Sequence, residues 1–175
     1  MNGAEIKTIL FKDDGIIPGN PNLPVILYLG SLKDEPEEAE AVFNRNGWLN
    51  SWTNGVFDYH HYHSNAHEVL GVIRGSAVLQ LGGEHGQKVE LTAGDVAVLP
   101  AGTGHKRCSA SKDFRVVGAY PDGMDYNLCT GKPGERPGVL EDIARVPLPN
   151  TDPLYGAAGP LMSAWKPQQQ TGHHA

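Results

Sequence analysis

The chain has 175 residues, 39% of them hydrophobic and 19% charged, with 22 glycines, 13 prolines and a net charge of −6 at pH 7. That length suits one domain with a sizeable core, and the composition suits a turn-rich globular fold rather than a disordered chain. The acid excess gives nucleic acid no electrostatic handle, no run approaches the roughly 20 apolar residues of a membrane span, and Met1–Leu10 lacks a basic segment followed by an apolar one, so a cytoplasmic location is expected.

Residues 1–49 read as an N-terminal extension. Pro18–Pro24 is a rigid turn segment, and Val25–Leu29 is a short apolar strand. The spacing then predicts one helix, with Asp34 as its cap, Pro36 in the first turn, and Glu37 and Glu38 at the positive end of the dipole. Ala39, Val42 and Phe43 supply its apolar face, and Gly47 stops it. From 50 to 120 the pattern becomes short β-rich runs separated by glycine-bearing turns: Glu68–Ile73, Ala77–Leu81, Val89–Leu91, Val96–Leu99 and Phe114–Tyr120. That rhythm predicts an antiparallel sandwich or barrel, with Leu81–Gln87 as a hairpin connection. Residues 121–175 form a turn-rich arm with a helical turn near Val139–Arg145 and apolar anchors at Leu154, Tyr155, Leu161 and Trp165. These anchors exceed what a compact barrel needs, which predicts a homodimer with packed or exchanged arms. The last residues, including His173 and His174, are expected to fray. Cys108 and Cys129 have no CxxC spacing and read as two reduced thiols.

The segment from Gly55 to Gly75 holds four of the eight histidines, His60, His61, His63 and His67, together with Glu68. In a strand, residues two apart share a face, so His61 and His63 project together while His60 and Tyr62 project the other way. Ser64-Asn65-Ala66 permits a turn, after which Glu68 opens an apolar strand that can share the same cavity. Farther on, His105 follows the turn Pro100-Ala101-Gly102-Thr103-Gly104, well placed to re-enter a barrel beside that cavity. Three imidazoles and one carboxylate suit a divalent first-row ion such as Fe, Mn, Ni, Co or Zn, and a six-coordinate ion would keep two positions for water or substrate. A closed structural zinc site would more often use cysteine, and neither cysteine belongs to the cluster.

These segments also match two patterns. G(X)5HXH(X)4E(X)6G fits at Gly55, His61, His63, Glu68 and Gly75, and G(X)5PXG(X)2H(X)3N fits at Gly94, Pro100, Gly102 and His105, with Ser109 in place of the closing asparagine. The chain thereby resembles the cupin superfamily. Phe11–Gly15, Pro21–Pro24, Asn54–Phe57, His61–Asn65 and Val117–Pro121 further resemble the small bacterial YjlB-like cupins, nearly end to end. The resemblance implies an all-β, double-stranded β-helix (jelly-roll) barrel, often dimeric, with His61, His63, Glu68 and His105 as ligands. It implies no particular reaction.

Other residues near the cluster carry weaker expectations. His67 faces away from Glu68 on the same strand and reads as a partner on the opposite face, a support for the ligands, or an alternative ligand. His60 reads as structural or interfacial, and His85 as solvated. Phe57 and Tyr59 share parity with His61 and His63 and are candidates to line a substrate pocket. Arg107 shares parity with His105 and could pair with a substrate carboxylate. The resulting expectation is a metal-dependent enzyme acting on a small metabolite, with oxygenase or redox chemistry ahead of decarboxylation or isomerisation. The alternative is a non-catalytic small-molecule binding or sensing barrel, because one fold hosts both.

Overall fold

Strand alternation sends neighbouring side chains into two different cores, and that division organises the molecule. The computed structural model describes residues 5–166. The strands are β1 (Glu5–Ile9), β2 (Val25–Leu29), β3 (Trp48–Asn54), β4 (Glu68–Arg74), β5 (Ser76–Leu81), β6 (Gln87–Thr92), β7 (Val96–Leu99), β8 (His105–Ala110) and β9 (Arg115–Pro121). All pair antiparallel, in a six-stranded sheet ordered β1-β2-β7-β4-β9-β3 and a three-stranded sheet ordered β6-β5-β8. The two sheets make the double-stranded β-helix barrel that the turn rhythm and the resemblance imply. The expectations for the chain end, His173 and His174 included, lie outside the described residues.

The central strands of the large sheet are apolar on both faces, which is why β2 and β7 read as unbroken apolar runs rather than alternating ones. Ile26, Tyr28, Val69, Val96, Val98, Val117 and Ala119 enter an outer core. Their neighbours Val25, Leu27, Leu70, Val72, Ala97, Leu99 and Val116 enter the barrel interior and meet Leu79, Leu81 and Leu91 of the small sheet. The outer core is closed by α1 (Ala39–Arg45) through Ala39, Val42 and Phe43, the face that the spacing predicts. Gly71 on β4 makes room for that helix, since a Cβ there would sit 2.8 Å from the Phe43 ring. The expected Asp34 cap does not form. Pro36 instead tightens the entry into a single 3-10 turn, Pro36–Glu38, in which the Glu38 N–H bonds the Glu35 carbonyl at 3.0 Å.

The N-terminal extension packs directly onto the barrel, where β1 and β2 continue the large sheet beyond β7. Strands β1, β3 and β8 were not anticipated: their sequences, EIKTI, WLNSWTN and HKRCSA, carry polar side chains on their exposed faces and show little apolar alternation. The C-terminal anchors Leu154, Leu161 and Trp165 are all spent inside the chain's own outer core. Three of the four expected anchors are thus taken up within one chain, and Tyr155 is half-buried against the same core. The helical turn near Val139 is α2 (Gly138–Arg145), and a further short helix, α3 (Pro160–Ala164), follows. No helix among the described residues is long and apolar enough to cross a membrane.

One buried acid ties that arm to the sheet. Asp152 is fully buried and accepts the Tyr28 hydroxyl at 2.6 Å, the Leu154 and Tyr155 N–H groups at 2.8 and 3.1 Å, and the Leu161 N–H of α3 at 3.0 Å. Gly159 has to be glycine, since a Cβ there would lie 2.2 Å from the Asp152 carboxyl carbon. Replacing Asp152 by Ala would orphan four buried donors, each costing about 1–3 kcal/mol. Asp152→Ala is expected to lower stability by on the order of 4 kcal/mol, read as a large fall in the urea unfolding midpoint.

Candidate metal centre

Glu68 opens β4 on the interior face, in step with Leu70 and Val72, and is 2% exposed. His67, one residue earlier, falls on the outer face and packs edge-on against Trp165 at 4.8 Å between ring centroids. Its Nδ1 accepts the Ala101 N–H at 3.0 Å, and burial holds its pKa down at about 4 despite the nearby Pro147 carbonyl. Alternation alone puts the acid inside and this imidazole outside, so His67 takes no part in the cluster.

His61 and His63 do not lie on a regular strand. Their segment is stitched by single-residue bridges, His61 to His105 and Tyr62 to Cys129. Both bridges are reciprocal backbone pairs, at 3.2 and 2.9 Å for His61–His105 and 2.9 Å each way for Tyr62–Cys129. The Gly102 N–H also donates to the His63 carbonyl at 2.8 Å. Because the segment is pulled to β8 on one side and to the C-terminal arm on the other, its side chains still alternate. His61 and His63 point into the cavity, while Tyr62 is buried with Ile17, Cys129 and Val139. His105 begins β8 directly after a turn in which Gly102 has φ +92° and passes so close to the Gly19 carbonyl that a Cβ would lie 2.3 Å from it.

Three of the four expected ligands converge. One donor atom from each of His63, Glu68 and His105 lies within 4.8 Å of the other two, and all three residues are buried. Glu68 Oε1 is 3.3 Å from His63 Nε2 and 3.4 Å from His105 Nε2. Neither contact has hydrogen-bond geometry, and Oε1 has no hydrogen-bond partner although it is buried. His61 stands beside this group with its ring centroid 4.0 Å from that of His105 and 6.2 Å from that of His63.

Each imidazole is oriented by its other nitrogen. Nδ1 of His61 faces the Tyr59 carbonyl at 2.9 Å, Nδ1 of His105 faces the Thr103 carbonyl at 3.1 Å, and Nδ1 of His63 faces the Asn127 carbonyl. A carbonyl can only accept, so each Nδ1 carries a proton, and in the neutral ring the Nε2 lone pair is left for the cavity. That is the arrangement in which histidines bind metals. Burial, with the neighbouring His105, pushes His61 down to about 3. Burial also opposes a charged His63, but the adjacent Glu68 carboxylate outweighs it and raises the pKa. Burial would raise Glu68, yet His63 and His105 beside it hold it well below the ordinary carboxylate range, so it stays ionised.

The second Glu68 oxygen is held by residues that no motif marked. Tyr120 on β9 donates its hydroxyl to Oε2 at 2.9 Å, and Trp52 on β3 donates its indole N–H to the Tyr120 oxygen at 2.7 Å. Gly118 lets the Trp52 ring lie across β9, where a Cβ would come within 2.3 Å of it. Tyr126 stacks on Tyr120 at 4.2 Å and meets the His63 ring edge-on at 5.2 Å. Asn127 further locks the region by accepting the Ser64 N–H at 2.9 Å and donating to the Ser64 hydroxyl at 2.8 Å. Tyr120 shares parity with Gly118 and Val116, so a tyrosine on the inward face of an apolar strand was the available signal.

The cluster lies in the wall of a cavity of about 740 Å³. Phe57 and Arg107 line it, as their parity predicts. Tyr59 does not reach the wall: its ring stacks on Phe57 at 5.0 Å, and its contribution is the backbone carbonyl that orients His61. His60 points elsewhere, 3.2 Å from Glu84.

A profile of the cupin domain family matches residues 52–117. The uncharacterized protein YjlB of Bacillus subtilis (strain 168) is 48% identical over 161 residues, which cover 92% of this chain and 97% of that protein. Among solved structures, an acireductone dioxygenase from Bacillus anthracis with a cadmium ion in its active center aligns with 54% of this chain and 63% of its own, at 21% identity and a TM-score of 0.37. A conserved protein with a double-stranded β-helix domain from Klebsiella pneumoniae aligns with 75% of this chain and 84% of its own, at 16% identity and a TM-score of 0.37.

Removing the Tyr120 hydroxyl leaves Glu68 Oε2 buried without a donor and the Trp52 N–H without an acceptor. Tyr120→Phe is expected to lower the stability of metal-free protein by about 2 kcal/mol, measured by chemical denaturation, with little change in the exposed part of the cavity.

Proposed function

The chain belongs to the YjlB-like cupins, and from that premise we propose that it is a metal-dependent enzyme acting on a small metabolite in its barrel cavity. His63, Glu68 and His105 would hold one divalent ion, Fe, Mn, Co, Ni or Zn, and His61, whose ring lies against His105, would be the fourth ligand. A single observation carries the reading. Glu68 Oε1 is buried without a hydrogen-bond partner, 3.3 and 3.4 Å from Nε2 of His63 and His105, whose Nδ1 atoms face backbone carbonyls. A protonated imidazole would pair with that oxygen alone, whereas a metal cation at the shared point would satisfy all three groups.

Bound there, the ion would supply Lewis-acid or one-electron chemistry. The chain's own residues set the surroundings. Tyr120 occupies Oε2, so the carboxylate presents one oxygen to the cluster. The carbonyls of Tyr59, Asn127 and Thr103 hold the three rings at fixed angles. Trp52, Phe57 and Tyr126 supply aromatic wall to the cavity beside the cluster. A polar and aromatic cavity beside the ligands supports an enzyme over a dry binding barrel, and we favour oxygen-dependent or redox chemistry over decarboxylation or isomerisation.

Metal-stripped protein titrated separately with Fe(II), Mn(II), Co(II), Ni(II) and Zn(II) is expected to bind one ion per chain. His63→Ala and Glu68→Ala should each weaken binding by more than about 100-fold, beyond the effect of losing a supporting residue, and His61→Ala by less. Oxygen uptake by the Fe(II) and Mn(II) forms across small carboxylates and carbonyl compounds then reads the chemistry. Tight stoichiometric binding with no turnover of any compound would move the assignment to a binding barrel.

A further inference from the structure

The cavity extends well beyond the metal cluster, and its direction follows from topology. Glu68, Tyr120 and His105 sit at one end of β4, β9 and β8. Along those strands the inward residues then run Glu68 to Leu70, Tyr120 to Gly118, and His105 to Arg107, all away from the cluster. At about 3.3 Å per residue, Arg107 stands roughly 7 Å from His105, and Ala110, at the end of β8, roughly 17 Å from it. The far end of the cavity is lined by Ala110, Lys112, Phe114 and Arg115.

Charge along that cavity is one-sided. Arg107, Lys112 and Arg115 line it, and Glu68 is the one carboxylate that does so among the described residues. This occurs in a chain whose net charge is −6, so the cations are not a sample of the average surface. Arg107 is braced for recognition, with its Nε donating to the Val56 carbonyl at 3.0 Å and its backbone N–H donating to the Phe57 carbonyl at 2.9 Å. Its terminal nitrogens are therefore held toward the cavity. The acid nearest to them is the exposed Asp58, 3.9 Å away and too far for a hydrogen bond. Arg115 donates to the Phe114 carbonyl at 2.7 Å, and Asp113 is engaged by the Ser111 hydroxyl at 2.7 Å and does not line the cavity. The rest of the lining mixes the buried apolar Val56, Leu70 and Phe114 with the polar Thr53, Asn54 and Ser111.

We infer that the cavity takes an elongated organic dianion, one end held by Arg107 beside the metal cluster and the other by Lys112 and Arg115 at the mouth. The inner end rests on the metal-centre reading, and the outer end stands independently of it. A guanidinium with fixed Nε matches a carboxylate in a way that a neutral group cannot.

Suberate, octanoate and suberamide have the same chain length with two, one and no charges, and serve as probes. Calorimetric titration of the Mn(II)-loaded protein is expected to show suberate binding at least about tenfold tighter than octanoate, and suberamide weaker than either. Exchanging Lys112 and Arg115 together for Gln should bring suberate down to the affinity of octanoate. Arg107→Gln should weaken both acids by about tenfold, with partial recovery in Arg107→Lys and an unchanged Mn(II) affinity. Equal binding of suberate and octanoate, an unchanged ratio in the double variant, or no binding of either acid overturns the inference. Metal binding is titrated first in the same preparations. Failure there overturns the metal-centre reading alone, because the suberate preference and its loss in the double variant are also read on metal-free protein.

Discussion

An ionised carboxylate inside a β-barrel costs several kilocalories per mole unless its oxygens are matched. Glu68 meets that requirement on one side only. Oε2 accepts from Tyr120, whose own oxygen accepts from Trp52, so this half is satisfied by two aromatic side chains from two other strands. Oε1 faces His63 and His105 without a hydrogen bond. The carbonyls behind the imidazoles take up their Nδ1 protons, so a neutral ring offers Oε1 no donor. The same contacts that fold the barrel thus leave one oxygen and two nitrogens converging on a point that a cation could serve.

The C-terminal arm is part of that constraint. His63 is oriented by Asn127, Ser64 is clamped by the same residue, and the backbone of Tyr62 pairs with Cys129. Tyr62 in turn donates its hydroxyl to Glu135 at 2.7 Å, and Glu135 also accepts the Thr130 and Gly131 N–H groups at 2.9 Å each. Farther along, Asp152 pins the arm to β2 through Tyr28. The ligand-bearing segment and the arm are therefore one hydrogen-bonded unit, and loosening the arm would loosen His63 with it.

Much of the site could be read from local spacing, because strand alternation is a strict rule. His61 and His63 two apart, Glu68 in step with Leu70 and Val72, and His67 out of step with all of them follow from parity, and the structure places them on the corresponding sides. The helix face of Ala39, Val42 and Phe43 is legible for the same reason at a different period. What parity could not reveal is which distant elements meet. Tyr120 is 52 positions from Glu68, Trp52 is 68 from Tyr120, and Asn127 is 64 from His63. The polar strands β1, β3 and β8 escaped because their stability comes from pairing with apolar neighbours rather than from their own pattern. The homodimer expectation drew on the arm's apolar residues, which do not say whose core they fill.

Cluster, cavity and arm together describe a barrel in which one end of the interior is polar and pre-oriented while the remainder mixes apolar, polar and basic side chains. The most direct test of its centre is X-ray absorption on Mn(II)- or Zn(II)-loaded protein, repeated on His105→Ala and Glu68→Ala. The account predicts two or three imidazole nitrogens and one carboxylate oxygen at about 2.0–2.2 Å, with one imidazole lost in the first variant and the oxygen in the second. A bound ion whose ligand shell is the same in both variants as in the parent would contradict it.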